Sequence, residues 1–304
     1  MELIFRIFEM KKTLYITNKL FFANWFVPVI GAVLIQVIGI IVSRRLVVKL
    51  LPDDYKFNLY IALLLFVPIL ASILLFLIYF QKRDFTSLGF TKDNNVLTTI
   101  SGFITGSLLM FFIYICHWLS GFVEISSSNS FSFGPFFFLF LAYFIQSLTE
   151  EILFRGYVMT TVTKFKGSFA GVLCNSMLFS FIHFRNYGIT AIALFNLFLL
   201  GIIFSILFNM TKNILFVTGV HTTWNFTMGC VLGNKVSGGD SPVSLFRITE
   251  NSSFALWNGG DFGFEGGVLC SLILVGCLAY FSLESVRVSR QTHEETFVFR
   301  KLDS

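Results

Sequence analysis

Glu150 and Glu151 stand side by side in Ser147-Leu148-Thr149-Glu150-Glu151-Ile152-Leu153-Phe154-Arg155-Gly156, with Arg155 four residues after the second acid. An uncharged run from Ile125 to Thr149 precedes them, and Tyr157-Val158-Met159 follows. An ionisable group at membrane depth costs about 2.5–3.5 kcal/mol on insertion scales and is by default a functional site with a partner. Glu151 and Arg155 share a helix face, acid first, and can neutralise each other. Glu150 projects about 100° away and lacks such a partner within its helix. It is therefore the candidate acid or base. The competing account puts all three charges at a helix end, snorkelling into headgroups.

Three further polar side chains fall inside apolar runs. His183 closes Phe179-Ser180-Phe181-Ile182-His183, with Phe179 one turn below it, and His221 and Asn225 share a face in His221-Thr222-Thr223-Trp224-Asn225. At 1.5 Å per residue, measured from the nearest basic turn, Glu150 lies roughly 21 Å deep, His183 roughly 24 Å, His221 roughly 12 Å and Asn225 roughly 18 Å. Three helices thus bring their polar groups to overlapping levels. His117, beside Trp118 near a span end, reads as part of an interfacial belt, and His293 reads as a solvated tail residue.

A carboxylate and an imidazole can hold and deprotonate a water. A second imidazole and an amide N–H can donate to an oxyanion. Those four groups suffice for metal-free amide hydrolysis. They are also zinc-type donors, so zinc stays open as a cofactor although HExxH is absent. The absence of a GxSxG setting and of an intramembrane Asp pair argues against serine and aspartyl chemistry.

The elements that must carry these groups follow from composition. The chain has 304 residues, 55% hydrophobic and 13% charged, with 41 Phe; mean hydropathy is +0.79. Soluble domains carry about 25% charged residues. The expected fold is all-α, a polytopic membrane bundle of about eight transmembrane helices in one domain over 1–304. Spans are expected at about 20–43, 57–80, 96–119, 133–162, 168–184, 189–210, 214–232 and 266–283. The first exceeds a signal-peptide core and reads as uncleaved. Gly102 and Gly106 form a GxxxG spacing in the third. Ser126 to Ser130 reads as a polar turn and Gly233 to Asp261 as a long polar loop. The five Cys lie in apolar runs without CxxC or CxxH spacing, so they read as packing residues. The net charge of +5 suits anionic lipid headgroups rather than nucleic acid.

With the N-terminus cytoplasmic, both tails lie inside. The inside segments then hold 14 Lys and Arg: four before Leu20, three in Gln81–Asn95, Lys164, Lys166, Lys212 and four in the C-terminal tail. The outside segments hold seven, four of them (Arg44, Arg45, Lys49, Lys56) in a first loop that breaks the positive-inside rule and could lie along the interface.

Glu150-Glu151-x-x-x-Arg155, Phe179-x-x-x-His183 and His221-x-x-x-Asn225, in this order on successive helices, resemble the three motifs of the CAAX protease and bacteriocin-processing (self-immunity) family, which includes the Ras-converting type II CAAX prenyl endopeptidase. Phe154-Arg155-Gly156 and the Gly260–Gly267 stretch are also similar. The motif region covers about half the chain. The resemblance implies a glutamate-type intramembrane endopeptidase with an eight-helix core. Glu150 would be the general base with His183 helping to hold the water, and His221 and Asn225 would form the oxyanion hole. Glu151, Arg155 and Phe179 would be structural or would position substrate. Members have also been described as metalloproteases. The partners implied are a peptide or membrane-protein substrate and the lipid bilayer. Chain length, Phe and Lys bias and compact loops point to a bacterial plasma-membrane version. A non-catalytic scaffold or immunity protein on the same fold is the alternative, and a proton-coupled transporter a third class.

Overall fold

The computed structural model describes residues 26–50, 65–91 and 95–302. The helices are α1 (Phe26–Leu50), α2 (Phe66–Leu75, prolonged by a π-helical turn, Phe76–Phe80), α3 (Asn95–Leu119), α4 (Phe133–Glu151), α5 (Thr160–Lys166), α6 (Ser168–Phe181), α7 (Ala191–Thr211), α8 (Ile214–Phe226), α9 (Ala255–Asn258) and α10 (Val268–Leu302). A π-helical stretch, Ile152–Met159, joins α4 to α5 as one rod, and another, Thr227–Val231, prolongs α8.

Helices dominate, as expected, but the bundle is less uniform than eight equal spans. Among the described residues, four helices are long and apolar enough to cross a membrane: Val96–Leu119, Phe133–Lys166, Ala191–Thr211 and Val268–Val288. Val29–Val42, Phe66–Phe80 and Ser168–Phe181 are shorter apolar helices. The expected fifth span stops at Phe181, after 14 residues. It is about 21 Å long and falls short of a hydrocarbon core of about 30 Å. The expected seventh carries Thr218, His221, Thr222, Thr223 and Asn225 among its apolar residues and is almost wholly buried over α8, so protein rather than lipid surrounds it. α1 continues to Leu50, so Arg44, Arg45 and Lys49 lie on a helix and not in a loop. Residues 20–25 of the first expected span and 57–64 of the second lie outside the described residues.

The structure also holds one antiparallel ribbon that composition concealed. β1 (Val123–Ser127) pairs with β2 (Phe246–Glu250), with Val123 opposite Glu250 and Ser127 opposite Phe246. It takes in Ser126 and Ser127 of the expected polar turn, which is confined to Ser128 to Ser130, and structures part of the expected polar loop.

α3 and α8 pack closely. A Cβ on Gly102 would strike the carbonyl of Phe216, and one on Gly106 the carbonyl of Val220, so only glycine allows this approach. Thr223 Oγ1 donates to Phe103 O (2.7 Å) across the same seam. α6 and α7 are antiparallel neighbours, with Ser180 Oγ donating to Leu194 O (2.7 Å) and Asn175 Nδ2 to Ser205 Oγ (2.7 Å). Thr190 caps α7, and Asn213 caps α8 by accepting from the Leu215 and Phe216 amides. The outward faces of α3 and α10 expose Leu108, Phe112, Leu272 and Leu283, the apolar belt a bilayer requires.

Arg83, read from sequence as a loop charge, is buried. Its guanidinium donates to Ser87 Oγ (2.9 Å), Ser87 O (2.7 Å), Gly156 O (3.0 Å) and Thr160 Oγ1 (2.9 Å). Burial pushes its pKa down to about 10. His117 is also fully buried rather than interfacial: Nδ1 lies 2.8 Å from Ile113 O, and the ring stacks on Phe264 at 4.5 Å.

Candidate functional site

α4 turns Glu150 and Glu151 into the bundle, where they are 3% and 0% exposed. The backbone passes into the π-helical stretch directly after them. Such widened turns recur at functional sites because they re-aim side chains without breaking the helix. Arg155, on that stretch, is fully buried. Its Nη1 donates to Glu151 Oε1 at 2.9 Å, the i,i+4 pair expected from spacing. Nη2 donates to Gly201 O at 3.3 Å. The guanidinium lies over the rings of Phe179 (4.5 Å) and Phe204 (5.3 Å), which shield the pair from water and attract its cation.

Glu151 has a second partner that spacing did not reveal. His221 Nδ1 lies 2.9 Å from the same Oε1. Nδ1 is the donor here, since a carboxylate oxygen accepts. His221 Nε2 is 3.9 Å from Glu150 Oε2. The four ionisable groups thus form a row, Arg155, Glu151, His221, Glu150, across α4, its π-helical continuation and α8. Glu150 has no cation in its own helix, as expected, but it accepts from one neutral donor there: Gln146 Nε2 donates to Oε1 at 3.3 Å. Its Oε2 is buried without a hydrogen bond among the described residues.

His183 sits two residues beyond α6, in the turn that ends it. Its Nδ1 lies 2.8 Å from Phe179 O, so Nδ1 carries the proton and Nε2 is the acceptor of the neutral ring. Phe179 packs between Arg155 and the rings of His183 (5.2 Å) and His221 (6.0 Å). Asn225, one turn after His221 on α8, is 5% exposed. Glu150, His183, His221 and Asn225 all line one cavity of about 320 Å³. Tyr143, Gln146 and Trp224 line it too, together with the loops 185–187 and 236–239 at its mouth.

Glu265, just before α10, is a third buried acid on this cavity and was not singled out from sequence. It accepts from Trp224 Nε1 (2.9 Å), Ser237 N (3.1 Å) and Ser237 Oγ (2.7 Å). It therefore ties α8 to the turn at the mouth. Asn186 Nδ2 donates to Ser237 O (3.0 Å) and Gly238 N to Phe262 O (3.0 Å), joining three loops into one collar. In sequence it was visible only as the acid inside the Gly260–Gly267 stretch that resembles the family, which names no partner.

Among the described residues, no three His, Cys, Asp or Glu side chains converge as a metal site. His221 and His183 each hold Nδ1 on an acceptor, Glu151 and the Phe179 carbonyl, which leaves Nε2 of both rings free toward the cavity.

Residues 132–227 match the model of the family described as type II CAAX prenyl endopeptidase Rce1-like, and this segment is a domain of that family. It runs from the residue preceding α4 through the first residue after α8, so it contains all three motifs and leaves out Ser237 and Glu265. With its candidate spans, the chain is an integral membrane protein. No curated protein and no solved structure matches the chain.

Proposed function

We propose, taking residues 132–227 as an Rce1-like domain for the premise, that this protein is an intramembrane endopeptidase. The observation that carries the reading is the convergence of Glu150, His183, His221 and Asn225 on one polar cavity inside an apolar bundle. Glu150 is the general base, through the Oε2 oxygen left without a hydrogen bond. His183, with Nε2 as acceptor, helps hold the attacking water. Asn225 donates its amide N–H to the developing oxyanion. His221 donates through Nε2 as the imidazolium, its Nδ1–H being held by Glu151. In that form Glu150 and Glu151 face two cations, His221 and Arg155, while Glu265 is held apart by the neutral donors of Trp224 and Ser237.

The water oxygen attacks the peptide carbonyl carbon while Glu150 takes its proton. The tetrahedral intermediate collapses with cleavage of the C–N bond, and Glu150 returns the proton to the leaving amine. Glu151 and Arg155 hold His221 in register. No step passes through a metal. The substrate is a peptide segment or the tail of a membrane protein.

The test uses purified protein in proteoliposomes with a library of internally quenched peptides. Glu150→Ala, His183→Ala and Asn225→Ala each lower turnover by about 10²-fold or more, while insertion and melting temperature persist. Full turnover by Glu150→Ala ends the Glu150 mechanism, and no turnover by the wild-type protein favours a non-catalytic binder.

A further inference from the structure

The two ends of the bundle differ in charge, and the cavity belongs to one of them. The rod that starts at Phe133 descends to Lys166, and α6 returns upward from Ser168. α7 descends to Lys212, and α8 rises from Ile214. α3 runs parallel to α8, with Gly102 beside Phe216 and Ser107 beside Thr227. The segment before α3 joins the lower end, because Gly89 O accepts from Ile214 N (2.8 Å) and Arg83 reaches Gly156 and Thr160. The lower end therefore carries Lys82, Arg83, Lys164, Lys166 and Lys212, with Asp84 as its acid. α10 descends from the collar, which adds Arg287 and Glu284 below.

The upper end carries the collar, the ribbon and the mouth of the cavity. Its loops hold three basic residues, Arg185, Lys235 and Arg247, against the acids Glu124, Asp240, Glu250, Asp261 and Glu265. Lys235 is matched locally, Nζ to Asp261 Oδ1 at 2.8 Å, which raises its pKa and holds it as a cation. All the connections are short, the regime in which Lys and Arg set orientation. Arg44, Arg45 and Lys49 on α1 are the exceptions at the upper end and bring it to six basic residues, against nine below once Arg290, Arg300 and Lys301 of α10 are included.

We infer that the cavity opens on the non-cytoplasmic face of the membrane, and that the site takes peptide segments presented from that side. A cytoplasmic chain end would have to pass the packed lower half of the bundle to reach Glu150. A segment of an exported or membrane-anchored polypeptide on the outer face meets the collar directly. The inference adds a side of entry to the peptidase reading and rests on it for what enters.

Orientation can be tested without turnover. Asp240→Cys and Ser253→Cys place a thiol on exposed upper loops, and Lys166→Cys places one on the exposed lower turn. The full-length chain with its five native cysteines sets the baseline. Intact cells are treated with a membrane-impermeant maleimide. The expected result is labelling of Asp240→Cys and Ser253→Cys in intact cells, and of Lys166→Cys only after permeabilisation. The reverse pattern, or labelling of both ends from outside, overturns the inference. A second arm offers the quenched peptides to right-side-out and inverted vesicles, with cleavage expected only in the former. Outward labelling with no Glu150-dependent cleavage in either vesicle sinks the peptidase reading and its substrate statement. Glu150-dependent cleavage from the inverted side alone sinks the side of entry.

Discussion

Arg155 shows how a charge survives in the apolar interior. It has one carboxylate partner, one backbone acceptor and two aromatic rings around it. Removing one member of such a pair leaves its partner charged and dry, which costs about 3–5 kcal/mol. Arg155→Leu should lose stability on that scale in reversible detergent unfolding. The double change Arg155→Leu with Glu151→Gln should recover most of it, because no uncompensated charge remains. Equal stability of Arg155→Leu and wild type would show that the pair is not holding α4 to α7 and α8. The i,i+4 pair was legible in sequence, since helix geometry alone brings it together. The bond from His221 to Glu151 was not: it joins residues 70 apart, and spacing carries no information on which of two adjacent acids an imidazole meets.

At the scale of elements, the α3–α8 seam sets where His221 and Asn225 stand. Gly106 lies against Val220 O and Thr223 Oγ1. Gly106→Ala must push α8 away or displace the Thr223 hydroxyl from Phe103 O, and overpacking of this kind costs about 1–3 kcal/mol. The expected outcome is a lower melting temperature together with a fall in kcat, because the same helix carries the proposed oxyanion donors. Substitution of the exposed Gly134, where an added Cβ meets nothing within 4 Å, is the control. Unchanged stability in Gly106→Ala would break the link between seam and site. The GxxxG spacing was visible in sequence but silent about its partner. The early end of α6 was hidden for a related reason. Phe181, Ile182 and Phe184 are as apolar as the helix they leave, so hydropathy runs past the turn that sets His183 at the mouth.

For the whole molecule, basic residues at one end and the cavity at the other make orientation a property of loops rather than of the site. Changing Lys164, Lys166 and Lys212 together to Ser should weaken the charge bias. Asp240→Cys in that background should then label partly from outside and partly only after permeabilisation. Undiminished outward labelling would show that other segments dominate insertion. The sequence by itself determined the membrane class, the buried acid pair with its arginine, and the three motifs, because hydropathy and helix spacing are local properties of the chain. The tertiary structure alone decided that four helices are long enough to span while others lean on protein, and that Arg83 and His117 are core residues. It alone decided that Glu265 locks the collar to α8 and that His221 stands between two carboxylates. Each of these depends on which distant segments lie side by side, and an apolar helix faces lipid or protein with the same composition.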